Sequence, residues 1–330
     1  MAVYTVLERT DIERFIKPFG IGPLVDFEGV AAGIENTNYF ITTDQSEFGS
    51  EVATETLHHY VLTLFEEINA EDLAFYVELT TLLNLRGLPV PCPARDADGL
   101  ALHTLHGKPA LLVPRIKGEH PKLPTVAQCH AIGFALSGIH NVTLEAGFQH
   151  PGNRSLAWLS ELAEKLKTTI DDSDQDLLAE VERFNTLIEA SPNLPRAVIH
   201  GDLFRDNTLF QGDALTAIID FNSAGSGFLM MDLAITVNDW CSEADGSLNN
   251  ERCDALLAGY QHNRPLEEQE KTLWNDFLRI AAARFWLSRI ASQAQLDNAP
   301  HRPGSLAEPK DPKQYKAILM QRIHSPGSLN

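Results

Sequence analysis

No apolar run approaches the roughly 20 residues a membrane-spanning helix requires; the longest, around Phe228 to Val237, is interrupted by Asp232. Positive charge is scarce: 26 Lys and Arg stand against 45 Asp and Glu, a formal net charge of −19. Such an excess repels a phosphate backbone, and no Lys/Arg cluster forms a local basic stripe, so a nucleic-acid partner is not expected. Cysteine is sparse too. Cys92, Cys129, Cys241 and Cys253 include no Cys-x-x-Cys pair, which argues against a disulfide framework or structural zinc and for reduced thiols acting as small apolar residues. The opening MAVYTVLERTDIERF shows neither a basic start followed by an apolar stretch nor a small-residue cleavage site, so a cytoplasmic location with no membrane partner is expected. Equally missing are Gly-x-x-x-x-Gly-Lys-[Ser/Thr], a Gly-x-Gly-x-x-Gly after a strand, Gly-x-Ser-x-Gly and His-Glu-x-x-His. Their absence sets aside P-loop, dinucleotide-binding, serine-hydrolase and zinc-peptidase chemistry.

What remains is a 330-residue chain with 44% hydrophobic residues, enough for two cores. The first third reads as strands plus one helix. LVDFEGV (24–30), TNYFITT (37–43) and HYVLTLF (59–65) are short β-branched and aromatic stretches between turn residues. Over 71–87 the period lengthens, with Phe75, Leu79, Leu82 and Leu83 on one helical face and Glu78 among them, until Gly87 and the Pro-x-Pro-x-Pro of 89–93 stop it. A strand pair follows, 100–105 and 109–116, turning at His106-Gly107. Beyond Lys117-Gly118 the pattern predicts helices over 125–140, 155–170, 174–190, 230–240, 250–262 and 266–296, with one strand island: AVIH (197–200), TLFQ (208–211) and LTAIID (215–220). The expected fold class is α+β, a small antiparallel-sheet lobe (1–113), a connector (114–118) and a larger helical lobe (119–330).

The chemistry concentrates in His200-Gly201-Asp202-Leu203-Phe204-Arg205-Asp206-Asn207, with Asp220-Phe221 closing the hairpin behind it. Phosphoryl transfer needs a carboxylate to orient an attacking hydroxyl and take its proton, plus oxygen ligands that hold Mg²⁺ against nucleotide phosphates. Asp202 suits the first role, and Asn207 and Asp220 the second. An Asp, an Asn five residues on and an Asp ending the next strand form the kinase order of catalytic loop and metal-binding aspartate. The ordinary alternative is turn chemistry, since Gly-Asp and Asp-Asn dipeptides favour turns; three such elements spaced over two strands fit the kinase signature better.

His-Gly-Asp-Leu-x-x-x-Asn followed by Ile-Ile-Asp-Phe resembles the aminoglycoside phosphotransferase-like kinases. GIENTNYFI (33–41), YVLTLFE (60–66), LRGLPVPCP (85–93), HGDLFRDN (200–207) and ARFWLSRI (283–290) extend the resemblance over nearly the whole chain, to the non-GHMP family of homoserine kinases. That resemblance implies a two-lobed protein-kinase-like fold, a first lobe that binds nucleotide and a second that carries catalysis and the acceptor. ATP and Mg²⁺ would be the cofactors, and L-homoserine the small-molecule acceptor, on the route to threonine. The turn between the first two strands, with Gly33, Asn36 and Asn38, would lie over the phosphates. Glu78 matches the helix glutamate that kinases pair with a strand lysine, but Thr63 stands where that lysine is expected, so a Lys–Glu pair does not carry over. Val113 and Arg115, in the connector region, would meet adenine. Asp232 resembles the aspartate that braces the catalytic loop, and His200 would support the loop through ring hydrogen bonds.

An amino-acid acceptor also needs a cation for its carboxylate and an acid for its ammonium, and a bidentate Arg is the best carboxylate partner. Arg205, inside the loop, leads for the carboxylate, with Arg284 and Trp286 behind it, and Asp239 is the candidate for the ammonium. The same fold with choline, an aminoglycoside or methylthioribose as acceptor is the competing reading, and a nucleotide-binding scaffold that does no chemistry is a third.

Overall fold

The structure, a computed structural model, describes residues 5–30, 36–45, 57–66, 68, 70–152, 154–298 and 310–325. The chain separates into two compact units between Ile116 and Lys117, with the segment from Lys310 belonging to the second. Gly33 lies outside the described residues.

In the first unit, strands β1 (Leu24–Gly29), β2 (Asn36–Asp44), β3 (Leu57–Phe65), β4 (His103–Leu105) and β5 (Lys108–Pro114) form one antiparallel sheet in the order β1-β2-β3-β5-β4. The two-residue side-chain period sorts its faces. Leu62 and Leu64, with Tyr39, Ile41, Ala110 and Leu112, pack against Ile12, Phe15 and Ile16 of helix α1 (Arg9–Ile16). Phe65 and Leu111 pack on the opposite side against Leu73 and Val77 of helix α2 (Ala70–Leu85). Helix α1 is an addition to the sequence reading, which gave this region a single helix. Its signal was present: Ile12, Phe15 and Ile16 follow helical spacing behind a reciprocal Glu8/Asp11 cap. Glu78 also departs from expectation. The buried residues of α2 are Leu73, Val77, Leu79, Thr80 and Leu83, so Leu79 and Leu83 lie inside as expected, whereas Glu78 is exposed.

The second unit is helical: α3 (Val126–Ala146), α4 (Leu156–Leu166), α5 (Gln175–Glu189), α6 (Leu229–Trp240), α7 (Asn250–Asn263), α8 (Glu268–Thr272), α9 (Trp274–Asn298) and α10 (Pro312–His324). Two small antiparallel sheets sit among them, β6 (Arg196–Ile199) with β9 (Gly225–Phe228), and β7 (Thr208–Gln211) with β8 (Ala214–Ile218). Three departures from the sequence reading have local causes. The span 266–296 is two helices, because the first ends at Leu273 before α9 begins. Strand β9, read from Gly-Ser-Gly-Phe, has almost no strand propensity and exists because β6 supplies its partner. Helix α10 starts at Pro312 behind an Asp311 cap and buries Tyr315, Ile318, Leu319 and Arg322 at helical spacing. The cysteines remain free, and Cys129, Cys241 and Cys253 are buried; the Cys241 thiol interacts with both of the others and is pushed well up by burial.

Helices α3 and α7 cross with their backbones in contact. A Cβ built on Gly133 would fall 2.0 Å from the Leu256 carbonyl oxygen, and one on Gly259 would fall 2.1 Å from that of His130. Neither neighbour is a movable side-chain tip, so any methyl group must spread the helices. Gly259→Ala is expected to cost about 1–3 kcal/mol, the range for overpacking a tight core. The readout is a lower urea midpoint with the slope retained; an unchanged midpoint would contradict the close crossing.

Candidate active site

Strand β6 delivers His200 and Gly201 into the core of the second unit, and Asp232, in the first turn of α6, meets them there. Asp232 is fully buried; its Oδ2 accepts the His200 N–H and its Oδ1 the Gly201 N–H, both at 2.8 Å. The His140 ring, from α3, adds a contact of 3.0 Å to Oδ2, and its other nitrogen meets the Tyr260 hydroxyl at 2.7 Å. Burial opposes ionisation of Asp232, but hydrogen bonds from His140 and the loop overcome it and hold its pKa below the ordinary carboxylate value. Gly201 takes φ +75°, and a Cβ there would sit 2.8 Å from the Ser223 carbonyl oxygen, so glycine is required on both counts.

Burial pushes the pKa of His200 down. A neutral ring accounts for its contacts: Nδ1 accepts the Asp202 N–H at 3.3 Å, and Nε2–H donates to the Ile219 carbonyl at 3.1 Å. His200 thereby ties the loop to the end of β8. The Asn207 carbonyl accepts the Ile219 N–H at 2.9 Å and makes a second tie.

These ties bring the three residues singled out from the sequence to one place. Asn207 Nδ2 donates to the Asp202 carbonyl at 2.8 Å and to its carboxylate at 3.3 Å. Asp220 stands in the left-handed region at φ 63°, its Oδ1 accepting the Asn222 N–H at 3.4 Å. Desolvation, and next the charge of Asp220, raise the Asp202 pKa to about 7, against the opposing charge of Arg284. Asp220 is likewise raised by desolvation, with His200 opposing.

The acceptor candidates separate. Arg205 and Asp239 are bound to each other: Asp239 Oδ2 accepts the Arg205 backbone N–H at 2.8 Å and its Nε–H at 3.0 Å, and Arg205 also donates to the Lys122 carbonyl at 2.9 Å. This pairing fixes the loop backbone and commits the Asp239 carboxylate and part of the Arg205 guanidinium to each other. Trp286 is buried. Arg284 is buried as well and lines a cavity together with Gly201. Arg154 and Arg196 line the same cavity; no motif surrounds either of them, and they lie 48 and 6 residues before Asp202, out of reach of a reading built on the loop.

In the first unit, Asn38 and Thr63 face each other across β2 and β3, and the Thr63 hydroxyl donates to Asn38 Oδ1 at 2.7 Å. Pairing with Phe65 and Val61 puts Asn36 and Val113 on that same sheet face. Arg115 spends its N–H on the His59 carbonyl at 2.9 Å and lays its guanidinium over Phe40 at 3.6 Å. A Lys–Glu pair does exist in this unit, between Lys108 of β5 and Glu66 beside β3, on residues the family pattern does not indicate.

The family model described as "Phosphotransferase enzyme family" matches residues 26–266. The chain belongs to that family. This phosphotransferase is 42% identical to the homoserine kinase of Pseudomonas aeruginosa (strain UCBPP-PA14) over 100% of both chains. It is 38% identical to that of Polaromonas naphthalenivorans (strain CJ2) over 99% of both. Among solved structures it shares its two-lobed, protein-kinase-like α+β fold with an amicoumacin kinase in complex with AMP-PNP and Ca²⁺, at a TM-score of 0.65 and 15% identity over 96% of this chain and 93% of that one.

Because the folded pKa of Asp232 is depressed, its charge adds stability that is complete above the ordinary carboxylate value and drains as pH falls through the folded one. Asp232→Asn is therefore expected to lose about 2–4 kcal/mol at pH 7, as when one partner of a buried charged network is removed. The gap to the parent protein should narrow towards pH 3 in thermal denaturation. A gap independent of pH would show that the charge is not what holds the loop.

Proposed function

We propose that this phosphotransferase transfers the γ-phosphoryl group of ATP to the hydroxyl of L-homoserine, giving O-phospho-L-homoserine for threonine biosynthesis in the cytoplasm. Full-length identity to homoserine kinases at about two residues in five carries the reading. The loop geometry supports it. Asp202, held by Asn207 and raised towards neutrality, takes the proton from the acceptor hydroxyl while that oxygen bonds to the γ-phosphorus and ADP departs.

Asn207 and Asp220 would hold Mg²⁺. Asn207 spends its Nδ2 on Asp202, which leaves Oδ1 without a hydrogen bond among the described residues. The charge of Asp220 opposes ionisation of Asp202, a conflict that a divalent cation relieves. Among the described residues no three His, Cys, Asp or Glu side chains form a metal cage; this suits Mg²⁺, which binds through one or two carboxylates and substrate phosphates. When bound, the ion neutralises charge on the transferring phosphate. Asn36, Asn38, Thr63 and Val113 offer one sheet face to the nucleotide. With the Thr63 donor committed to Asn38 and no lysine in β3, phosphate neutralisation falls chiefly to the cation.

The test is Mg²⁺-dependent ADP release from ATP with L-homoserine, L-serine, choline, methylthioribose and kanamycin as acceptors. Selective turnover of L-homoserine is expected, with kcat reduced about 10²–10⁴-fold in Asp202→Asn, the range for loss of a positioned base. Asp220→Ala should in addition weaken Mg²⁺-nucleotide binding. Preferred turnover of another acceptor would overturn the substrate, and equal loss of nucleotide affinity in both variants would overturn the division of roles.

A further inference from the structure

The second unit contains a cavity of about 200 Å³ bounded by β6, β9 and the segment leading into α4. Three arginines line it, Arg154, Arg196 and Arg284, in a protein whose net charge is −19. Arg196 lies over the Phe228 ring at 4.3 Å and Arg154 over Trp158 at 4.7 Å, contacts that fix an arginine without neutralising it. Arg284 lies over the Phe285 ring at 4.9 Å and differs from both in its burial. It is only 5% exposed, its Nε has no hydrogen-bond partner, and among the described residues no carboxylate pairs with it. A buried guanidinium left with an unmade hydrogen bond carries a heavy desolvation cost.

Gly201, the residue before Asp202, also lines the cavity, and the charges of Asp202 and Arg284 act on one another. Ser155, the cap of α4, adds a helix N-terminus to the lining. The wall at β9 is fixed in place: the Ser226 N–H donates to the His150 carbonyl at 2.7 Å, and the Ser226 hydroxyl accepts the His150 N–H at 3.1 Å. The volume has room for a small amino acid.

We propose that this cavity is the acceptor subsite, with Arg284 and Arg154 binding the α-carboxylate of the substrate while its hydroxyl reaches Asp202. The inference rests on the homoserine kinase reading and adds to it a requirement for a carboxylate, read by residues outside the catalytic loop. Although burial lowers the Arg284 pKa to about 10, the guanidinium stays charged at neutral pH. A carboxylate brought to it supplies the missing partner. Arg205, the nearer residue in sequence, is partly committed, since its Nε serves Asp239 and one terminal nitrogen the Lys122 carbonyl.

The experiment compares L-homoserine with 3-aminopropan-1-ol, the same amino alcohol without the carboxylate, in the full-length enzyme and in Arg284→Lys and Arg154→Gln. Arg154 is exposed, so its variant tests the idea even where a change at buried Arg284 prevents folding. The ratio of kcat/KM for the two acceptors should fall roughly 10- to 100-fold in each variant, the worth of a charge-assisted bond, with the loss in KM for L-homoserine. A preserved ratio while the parent enzyme uses L-homoserine overturns the subsite and leaves the homoserine reading standing. A rise in KM for ATP in place of the acceptor overturns it too, because the arginines would then serve a phosphate. If the parent enzyme instead prefers L-serine and that preference collapses in the variants, the subsite stands and the homoserine reading falls.

Discussion

Everything at the catalytic loop depends on one buried carboxylate. Asp232 has no solvent to fall back on, so its charge is tolerable only while the His200 and Gly201 amides and the His140 ring all point at it. That requirement couples elements far apart in sequence. Helix α3 must place His140, which in turn needs the close crossing of α3 on α7, where Tyr260 receives the other ring nitrogen. Helix α6 must present Asp232 at its first turn, where the helix dipole also favours the charge. Once these are set, Gly201 has no choice but its left-handed conformation, and Asp202 follows from it.

The loop spends nearly every side chain. His200 is kept neutral by burial and tethers the loop to Ile219; Leu203 and Phe204 are buried anchors; Arg205 closes on Asp239; Asn207 turns its amide onto Asp202. Asp202 and Asp220 are left buried with their ionisation opposed by desolvation, and at Asp202 also by the charge of Asp220, which is what a cation-dependent reaction would exploit. A hydrogen-bonded frame thus isolates a small electrostatic conflict.

Local patterns were legible and tertiary pairings were not. Alternation and helical spacing located β1, β2, β3, β5 and most helices of the second unit, and HGDLFRDN announced itself by composition. Helix α1 was legible as well, through the helical spacing of Ile12, Phe15 and Ile16, but it spans only two turns, short for a periodic signal. Strand β9 could not be read, because Gly-Ser-Gly-Phe forms a strand only when β6 lies beside it. Glu78 was misplaced for a different reason: the apolar positions of α2 are so numerous that the sequence permits more than one stripe, and packing onto Phe65 and Leu111 selects Leu73 and Val77.

Arg205 shows how adjacency in sequence misleads. A cation three residues from a candidate catalytic base invites assignment to the substrate, yet a residue so close along a tight loop is also the one best placed to hold that loop, and Asp239, the penultimate residue of a buried helix, gives it a partner to do so. The useful question is therefore which arginine the fold leaves unpaired at the cost of burying it. Arg205 is paired with Asp239, whereas the buried Nε of Arg284 has no partner among the described residues, and a buried donor that the protein does not satisfy is one that a ligand can.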